Sequence, residues 1–263
     1  MSDSPSVQEE FLLIEQAARE AGEIAMRHFR RDPEVWWKEG NSPVSQADIE
    51  VDVFLREKLL AARPDYGWLS EEIADNKERL AAPRTFVVDP IDGTRAFIDG
   101  RKTWCVSVAI VENGKALAGV LDCPASGEFF SASSGGGAYR NGAPIAAGEA
   151  RSSLSLAGPK NMINRLPAEI RARVTPHPYV PSLAYRIALV ASGALDATFV
   201  KPASHDWDLA AADVILSEAG GQIVDGAMKR PHYAGPNPRR GALAAGSGGL
   251  LEIMAGVVAE LDD

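Results

Sequence analysis

Thr85-Phe86-Val87-Val88-Asp89-Pro90-Ile91-Asp92-Gly93-Thr94 is the stretch on which the reading of this chain turns. The run Thr85-Phe86-Val87-Val88 has the length and composition of a buried strand, and it stops at a carboxylate. A strand here delivers Asp89 to the end of a sheet. Pro90 then pins the backbone and Asp92 returns a second carboxylate. Gly93 permits close approach of another backbone, and Thr94 can cap the helical pattern begun by Arg95, Ala96, Phe97 and Ile98. The string sets hard oxygen ligands, suited to Mg²⁺, beside backbone N–H groups suited to a phosphate oxygen. Asp-Gly-Thr alone is an ordinary turn and cap; the whole string behind a strand points to chemistry. Its spacing differs from the Asp-x-Asp of phosphatases with an aspartyl nucleophile, so no phosphoenzyme is expected.

Outward from this strand, residues 104–111 and 115–121 read as β segments joined by the hairpin signal Glu112-Asn113-Gly114, and 128–132 adds a third. Upstream, Phe11, Ile14, Ala17, Ala18, Ala21, Ala25 and Phe29 keep helical spacing over 9–29. A second helical pattern runs from Asp48 through Val51, Leu55 and Leu59 and ends before Arg63-Pro64. Between them Lys38-Glu39-Gly40-Asn41-Ser42-Pro43 reads as a loop. These elements predict a hairpin-linked antiparallel sheet with both early helices on one face. Downstream, 182–193, 207–219 and 247–261 are helical patterns, 197–200 and 222–224 are strands, and Gly220-Gly221 is a helix stop. The fold class expected is α/β (α+β), with an N-terminal α+β half over 1–150 and a C-terminal α/β half over 151–263. Gly135-Gly136-Gly137 lies between β segments and lacks the Lys-Ser/Thr of a P-loop, so it reads as a turn.

The 263 residues, 46% hydrophobic and 24% charged, describe an ordinary soluble globular protein. A net charge of −9 and a pI near 5.1 disfavour nucleic acid and anionic membranes as partners. An anionic substrate would need metal ions to reverse the local field. No apolar run reaches the roughly 18 residues of a membrane span, and the polar, acidic first ten residues are unlike a signal peptide. Cys105 and Cys123 sit among strand-like residues and are expected as buried free thiols, which suits a reducing cytoplasm. The four histidines form no zinc spacing, and no basic stripe with interleaved aromatics is present.

Two further acidic sites stand in suggestive places. Ser70-Glu71-Glu72 follows the apolar Tyr66-Gly67-Trp68-Leu69, and Trp207-Asp208 opens a helix containing Ala210, Ala211 and Ala212. Read alone, paired glutamates are solvated surface and an aspartate at a helix start is a cap. Taken in order with Ser42-Pro43-Val44-Ser45-x-x-Asp48, the 89–94 string and Trp207-Asp208-Leu209-Ala210-Ala211, the chain resembles the inositol monophosphatase superfamily, which includes bisphosphate nucleotidases and fructose bisphosphatases. The resemblance runs from Lys38 to Gly220-Gly221.

That resemblance implies a layered αβαβα sandwich, a homodimer, and two to three Mg²⁺ ions per site. Glu71, Asp89 and the carbonyl of Ile91 would hold one ion. Asp89, Asp92 and Asp208 would hold a second, and Asp48 and Glu71 would position a weaker third through waters. The implied reaction is hydrolysis of a small phosphate monoester by direct in-line attack of a metal-activated water. Glu71 and Thr94 would orient and deprotonate that water with Asp48 in the same catalytic group, Gly93 and Thr94 N–H groups would hold the phosphate, and Lys38 would lie near the metal waters. The physical logic stands apart from any family: clustered carboxylates repel at low dielectric, and divalent cations remove that cost.

The substrate is the open question. Lys201 stands seven residues before Asp208, where inositol monophosphatases carry a glutamate that meets the inositol hydroxyls. Lysine cannot accept hydrogen bonds but can pair with a second phosphate. Together with Arg95-Ala96-Phe97-Ile98 this leans toward 3′-phosphoadenosine 5′-phosphate or a related bisphosphate. Lys201 as a solvated surface residue, and inositol 1-phosphate or histidinol phosphate as substrate, stay open. His205, close to Asp208 in sequence, either lines the site or is structural. A non-catalytic metal-binding regulator is the other class; it would lack the water-activating pair, yet Glu71 and Thr94 are both present.

Overall fold

The computed structural model of the chain describes residues 5–38, 42–148 and 151–262. Its first helix, α1 (Val7–His28), opens with a reciprocal cap in which the Ser6 hydroxyl takes the Glu9 N–H and the Glu9 carboxylate takes the Ser6 N–H. An antiparallel ribbon, β1 (Val35–Lys38) and β2 (Ser42–Ser45), leads into α2 (Gln46–Ala62). This corrects the loop expected over 38–43: Trp37 pairs with Pro43 and Lys38 with Ser42, while 39–41 lie outside the described residues. Proline is tolerated because both strands of a two-stranded ribbon are edges.

Seven strands follow, with one short helix among them. They are β3 (Gly67–Ser70), β4 (Thr85–Asp92), then α3 (Thr94–Ile98), β5 (Cys105–Glu112), β6 (Lys115–Cys123), β7 (Glu128–Ser133), β8 (Gly137–Arg140) and β9 (Ala143–Pro144). They form one sheet in chain order, antiparallel except for the parallel β3–β4 pair. Asn113 and Gly114 take φ of 50° and 77°, the left-handed pair that matches strand twist in a tight hairpin. Thr94 does not cap α3 as its context suggests. Gly93 holds the cap position at φ 94°, and the Thr94 hydroxyl turns elsewhere.

The rest of the chain contributes β10 (Leu154–Ala157), α4 (Lys160–Ile163), α5 (Ala168–Arg171), β11 (Val174–Pro176), α6 (Leu183–Ala191), β12 (Ala197–Val200), α7 (Asp206–Glu218), β13 (Gln222–Val224), β14 (Leu243–Gly246) and α8 (Gly248–Asp262). Its sheet runs β11-β10-β12-β14-β13, with β10 parallel to both its neighbours and β14 antiparallel to both of its own.

Side-chain alternation explains the layering. Phe86 and Val88 of β4 pack with Ile14, Ala21, Leu55 and Leu59 of α1 and α2. Val87 faces the opposite way, into a core with Ile187, Leu209 and Ile215 of α6 and α7. Both faces are buried, which is why β4 reads as an unbroken apolar run. Asp89 shares the parity of Val87, so the strand ends aimed at the α6–α7 layer. There α7 lies close on β6: a Cβ on Gly119 would come 2.6 Å from Val214 Cγ1 and 2.7 Å from Ala211 Cα. The second sheet covers the other side of α6 and α7, and α8 closes its outer face through Met254 and Val258 against Leu156 and Phe199. The order of layers is αβαβα. Cys105 and Cys123 are buried free thiols, and no described helix is long and apolar enough to cross a membrane.

Candidate active site

The end of β4 is built to present carboxylates. Its ladder with β5 is regular down to Asp89, opposite Ser107, then irregular until Asp92, opposite Cys105. Pro90 has no N–H to give that ladder. Ile91 N–H instead donates to Asp89 Oδ1 at 3.1 Å, an Asx turn that fixes the aspartate. Gly93 is required at two levels: its positive φ, and a Cβ there would meet Thr103 O at 3.1 Å and Ser182 N at 3.2 Å.

That close approach brings the start of α6 onto Asp92. Its Oδ2 accepts from the Ser182 hydroxyl at 2.7 Å and from Ala184 N–H at 2.6 Å, and its Oδ1 from Leu183 N–H at 3.2 Å. A carboxylate at a helix N-terminus also gains from the dipole. The start of α7 supplies Asp208, whose Oδ2 accepts the His205 N–H at 2.7 Å. Asp89, Asp92 and Asp208 thus converge, each offering an oxygen within 4.8 Å of the others.

Asp48 arrives from the first turn of α2. Its Oδ2 accepts from Ser45 N–H at 2.7 Å and from the Ser45 hydroxyl at 2.6 Å. Its Oδ1 and the Ile91 carbonyl both lie 3.0 Å from Thr94 Oγ1, so this single hydroxyl proton has two acceptors. Glu71 follows β3, its N–H on Val88 O at 3.3 Å. A cavity of about 260 Å³ is lined by Glu71, Asp89, Asp92, Gly93, Thr94, Arg95, Lys201 and Asp208, among others that include Pro43 and Tyr179.

Burial and mutual repulsion dominate the electrostatics. The Asp89 carboxyl is pushed well up by desolvation, then by Glu71, Asp92 and Asp208. Desolvation and Asp92 push Asp208 up in the same way, against the pull of His205 N–H and Lys201. Desolvation raises Asp92 to about 6 despite its three donors, and Asp48 to about 6 despite Ser45 and Thr94. Lys201 acts on Asp208, and Arg186 and Asp92 on each other, through their charges, which leaves these acids in excess over the basic groups that bear on them. Several buried carboxylates in excess over nearby basic groups form an unfinished charge balance, and an all-oxygen donor set of this kind fits a hard divalent ion.

Of the residues expected from sequence, Glu71, Asp89, Asp92, Gly93, Thr94, Lys201 and Asp208 share this one cavity. Asp48 and Ile91 stand behind it, reached through Thr94. Glu71 lies outside the group whose oxygens approach within 4.8 Å. His205 is not in the cavity wall. It stacks on Trp207 at 4.5 Å between ring centroids and acts through its backbone on Asp208. The side chain of Lys38 lies outside the described part of the chain. Two groups escaped the sequence reading. Ser182, in the N-cap position before an apolar helix, carried a capping signal but no hint that it would bind Asp92. Tyr179 carried none.

Relatives and folds agree with this geometry. The Inositol monophosphatase family model matches residues 7–261. An inositol-1-monophosphatase of Rhizobium meliloti is 33% identical over 234 residues, 80% of this chain and 83% of that protein. A histidinol-phosphatase of Chlorobaculum parvum is 32% identical over 226 residues, again 80% and 83%. The 3′(2′),5′-bisphosphate nucleotidase CysQ of Aggregatibacter actinomycetemcomitans is 30% identical over 230 residues, 80% and 82%. An IMPase of Thermotoga maritima superposes with a TM-score of 0.82 at 26% identity, covering 97% of this chain and 98% of that one. With a family match along nearly its whole length, the αβαβα layers and a carboxylate cluster where β4 meets α7, the chain belongs to the inositol monophosphatase family, whose members are metal-dependent phosphatases of phosphate monoesters.

Proposed function

We propose that this phosphatase uses Mg²⁺ and acts on a small phosphate monoester carrying a second anionic group, of the 3′-phosphoadenosine 5′-phosphate kind. The observation that carries the metal assignment is the convergence of Asp89, Asp92 and Asp208, each offering an oxygen within 4.8 Å of the others. These three would hold one ion, Glu71, Asp89 and the Ile91 carbonyl another, with Asp48 and Glu71 beside a third. When bound, Mg²⁺ supplies the positive charge that admits an anionic ester and polarises it for attack at neutral pH.

The chain's own groups then divide the remaining work. Ser45 ties down one oxygen of Asp48, so the other is presented to Thr94. Asp48 Oδ1 is thereby the acceptor in line with the Thr94 hydroxyl. A water in the cavity passes its proton to Thr94 Oγ1, whose own proton moves to Asp48 Oδ1. Glu71 orients that water, and the Gly93 and Thr94 N–H groups receive phosphate oxygens. Lys38 is assigned near the same waters.

Lys201 supports the second anion. It is exposed, lines the cavity and draws Asp208 toward its charged form. The names of relatives do not discriminate, because an inositol-1-monophosphatase and a histidinol-phosphatase stand at 33% and 32% identity. Those two activities are the competing readings. Two buried free thiols support a cytoplasmic protein, and a homodimer is assigned by analogy. The test is phosphate release with Mg²⁺ from 3′-phosphoadenosine 5′-phosphate, inositol 1-phosphate, histidinol phosphate and fructose 1,6-bisphosphate. The first should show the highest kcat/KM. A large preference for inositol 1-phosphate overturns the role given to Lys201.

A further inference from the structure

We infer that Tyr179 is a specificity-determining residue, a flat wall on which a planar ring of the substrate's leaving group stacks. This rests on the cavity being the active site, though not on the second anion assigned to Lys201. Tyr179 lines the same cavity as Asp89, Asp208 and Lys201, yet it is 73% exposed.

That exposure is not slack in the backbone. Pro178 and Pro181 bracket Tyr179-Val180, and Val180 is 3% exposed within the core shared by both sheets. Upstream, His177 N–H donates to Leu156 O at 3.0 Å. Downstream, Ser182 is fully buried and bonded to Asp92. The segment is clamped at both ends, so the backbone sets Tyr179 in the cavity wall beside the reacting carboxylates. An aromatic ring left open in the wall of a cavity that takes an organic ester is apolar surface that the ester can cover.

Size says what the cover is. About 260 Å³ is below the usual 300–1,000 Å³ of a pocket that encloses a whole organic ligand. It suits a phosphate and its ions, so the body of the leaving group lies across the rim where Tyr179 stands. A planar ring such as a purine or imidazole gains from stacking there; an acyclic ester gains nothing.

The test compares adenosine 3′-phosphate with glycerol 2-phosphate, both single-phosphate esters, in wild type, Tyr179→Ala and Tyr179→Phe, with circular dichroism to confirm folding. The ratio of kcat/KM for the adenosine ester over the glycerol ester should fall about 10- to 100-fold in Tyr179→Ala, mainly through KM, and stay within about twofold in Tyr179→Phe. An unchanged ratio in Tyr179→Ala, or a wild type that handles both esters equally, overturns the inference. Loss of the bisphosphate preference in the substrate panel, with this ratio still shifting, would remove the Lys201 reading and leave the ring wall standing.

Discussion

Asp206 and Asp208 sit in the same first turn of α7 and have opposite surroundings. Asp206 is fully buried and finished by the protein itself, with Arg240 Nε at 2.6 Å and Ala234 N–H at 2.8 Å. Glu10, also fully buried, repeats the pattern with Arg63 at 3.0 Å and Arg84 at 3.2 Å. Asp208 receives the His205 N–H, feels the charge of Lys201 and faces Asp89 and Asp92. Where a carboxylate holds the fold together, an arginine is folded against it. Where it faces the cavity, no arginine is folded against it among the described residues, and most of the countercharge is left to come from solution. Repulsion is tolerated there because β4, α6 and α7 are each locked by their own packing.

The contrast breaks most visibly under substitution of the open carboxylates. Asp89→Asn or Asp208→Asn should lower phosphate release at least about 10³-fold, since several kcal/mol of charge stabilisation is removed. Circular dichroism should show an intact fold. Wild-type turnover in either variant takes that residue out of the catalytic site.

The closed carboxylate should respond the other way. Asp206→Ala strands Arg240 without its partner, and removing one member of a buried pair costs about 3–5 kcal/mol. For a chain of this size that is a fall in Tm of about 10 °C. The folded fraction keeps its turnover. A variant that holds its Tm and loses activity would erase the distinction between the two sides of the turn.

A pH dependence sharpens the comparison further. Asp48 and Asp92 are raised from 3.8 to about 6, chiefly by burial. A carboxyl raised in the folded state contributes stability that is fully present below its unfolded value and is lost as pH rises through the folded one. Each contribution is of the order of 3 kcal/mol. In chelator, Tm should therefore fall between about pH 4 and pH 7. Added Mg²⁺ should restore it at pH 7.5 and matter little at pH 5. A gap between the two conditions that ignores pH would show that these carboxyls are not where the ion acts.

Much of the fold is legible in the sequence because its strongest elements obey one period each. The apolar spacing of Ile14, Ala17, Ala18, Ala21 and Ala25 marks α1, and Thr85-Phe86-Val87-Val88 marks β4. Elements without such a signal are harder to read. β11 is three residues with a proline at its end, and β14 is Leu-Ala-Ala-Gly, whose side chains are too small to show alternation. The β1–β2 ribbon hides behind Pro43, which forbids a central strand but not an edge. Thr94 looked like a cap because hydroxyls favour that place; Gly93 took it, since only glycine adopts φ 94° there without strain.

Residue identity alone determined which side chains can do the chemistry: oxygen ligands after a strand, a glycine that lets a backbone close in, an aspartate at a helix start. Those choices are local, so short stretches of chain declare them. What only the tertiary structure decided is which of them meet. Asp89 and Asp208 lie more than a hundred residues apart, and Asp208 differs from Asp206 only in which way the turn of α7 points it. Convergence depends on close packing at Gly119 and on α6 docking at Gly93, long-range contacts that no local pattern encodes. The same packing holds Tyr179 at the rim.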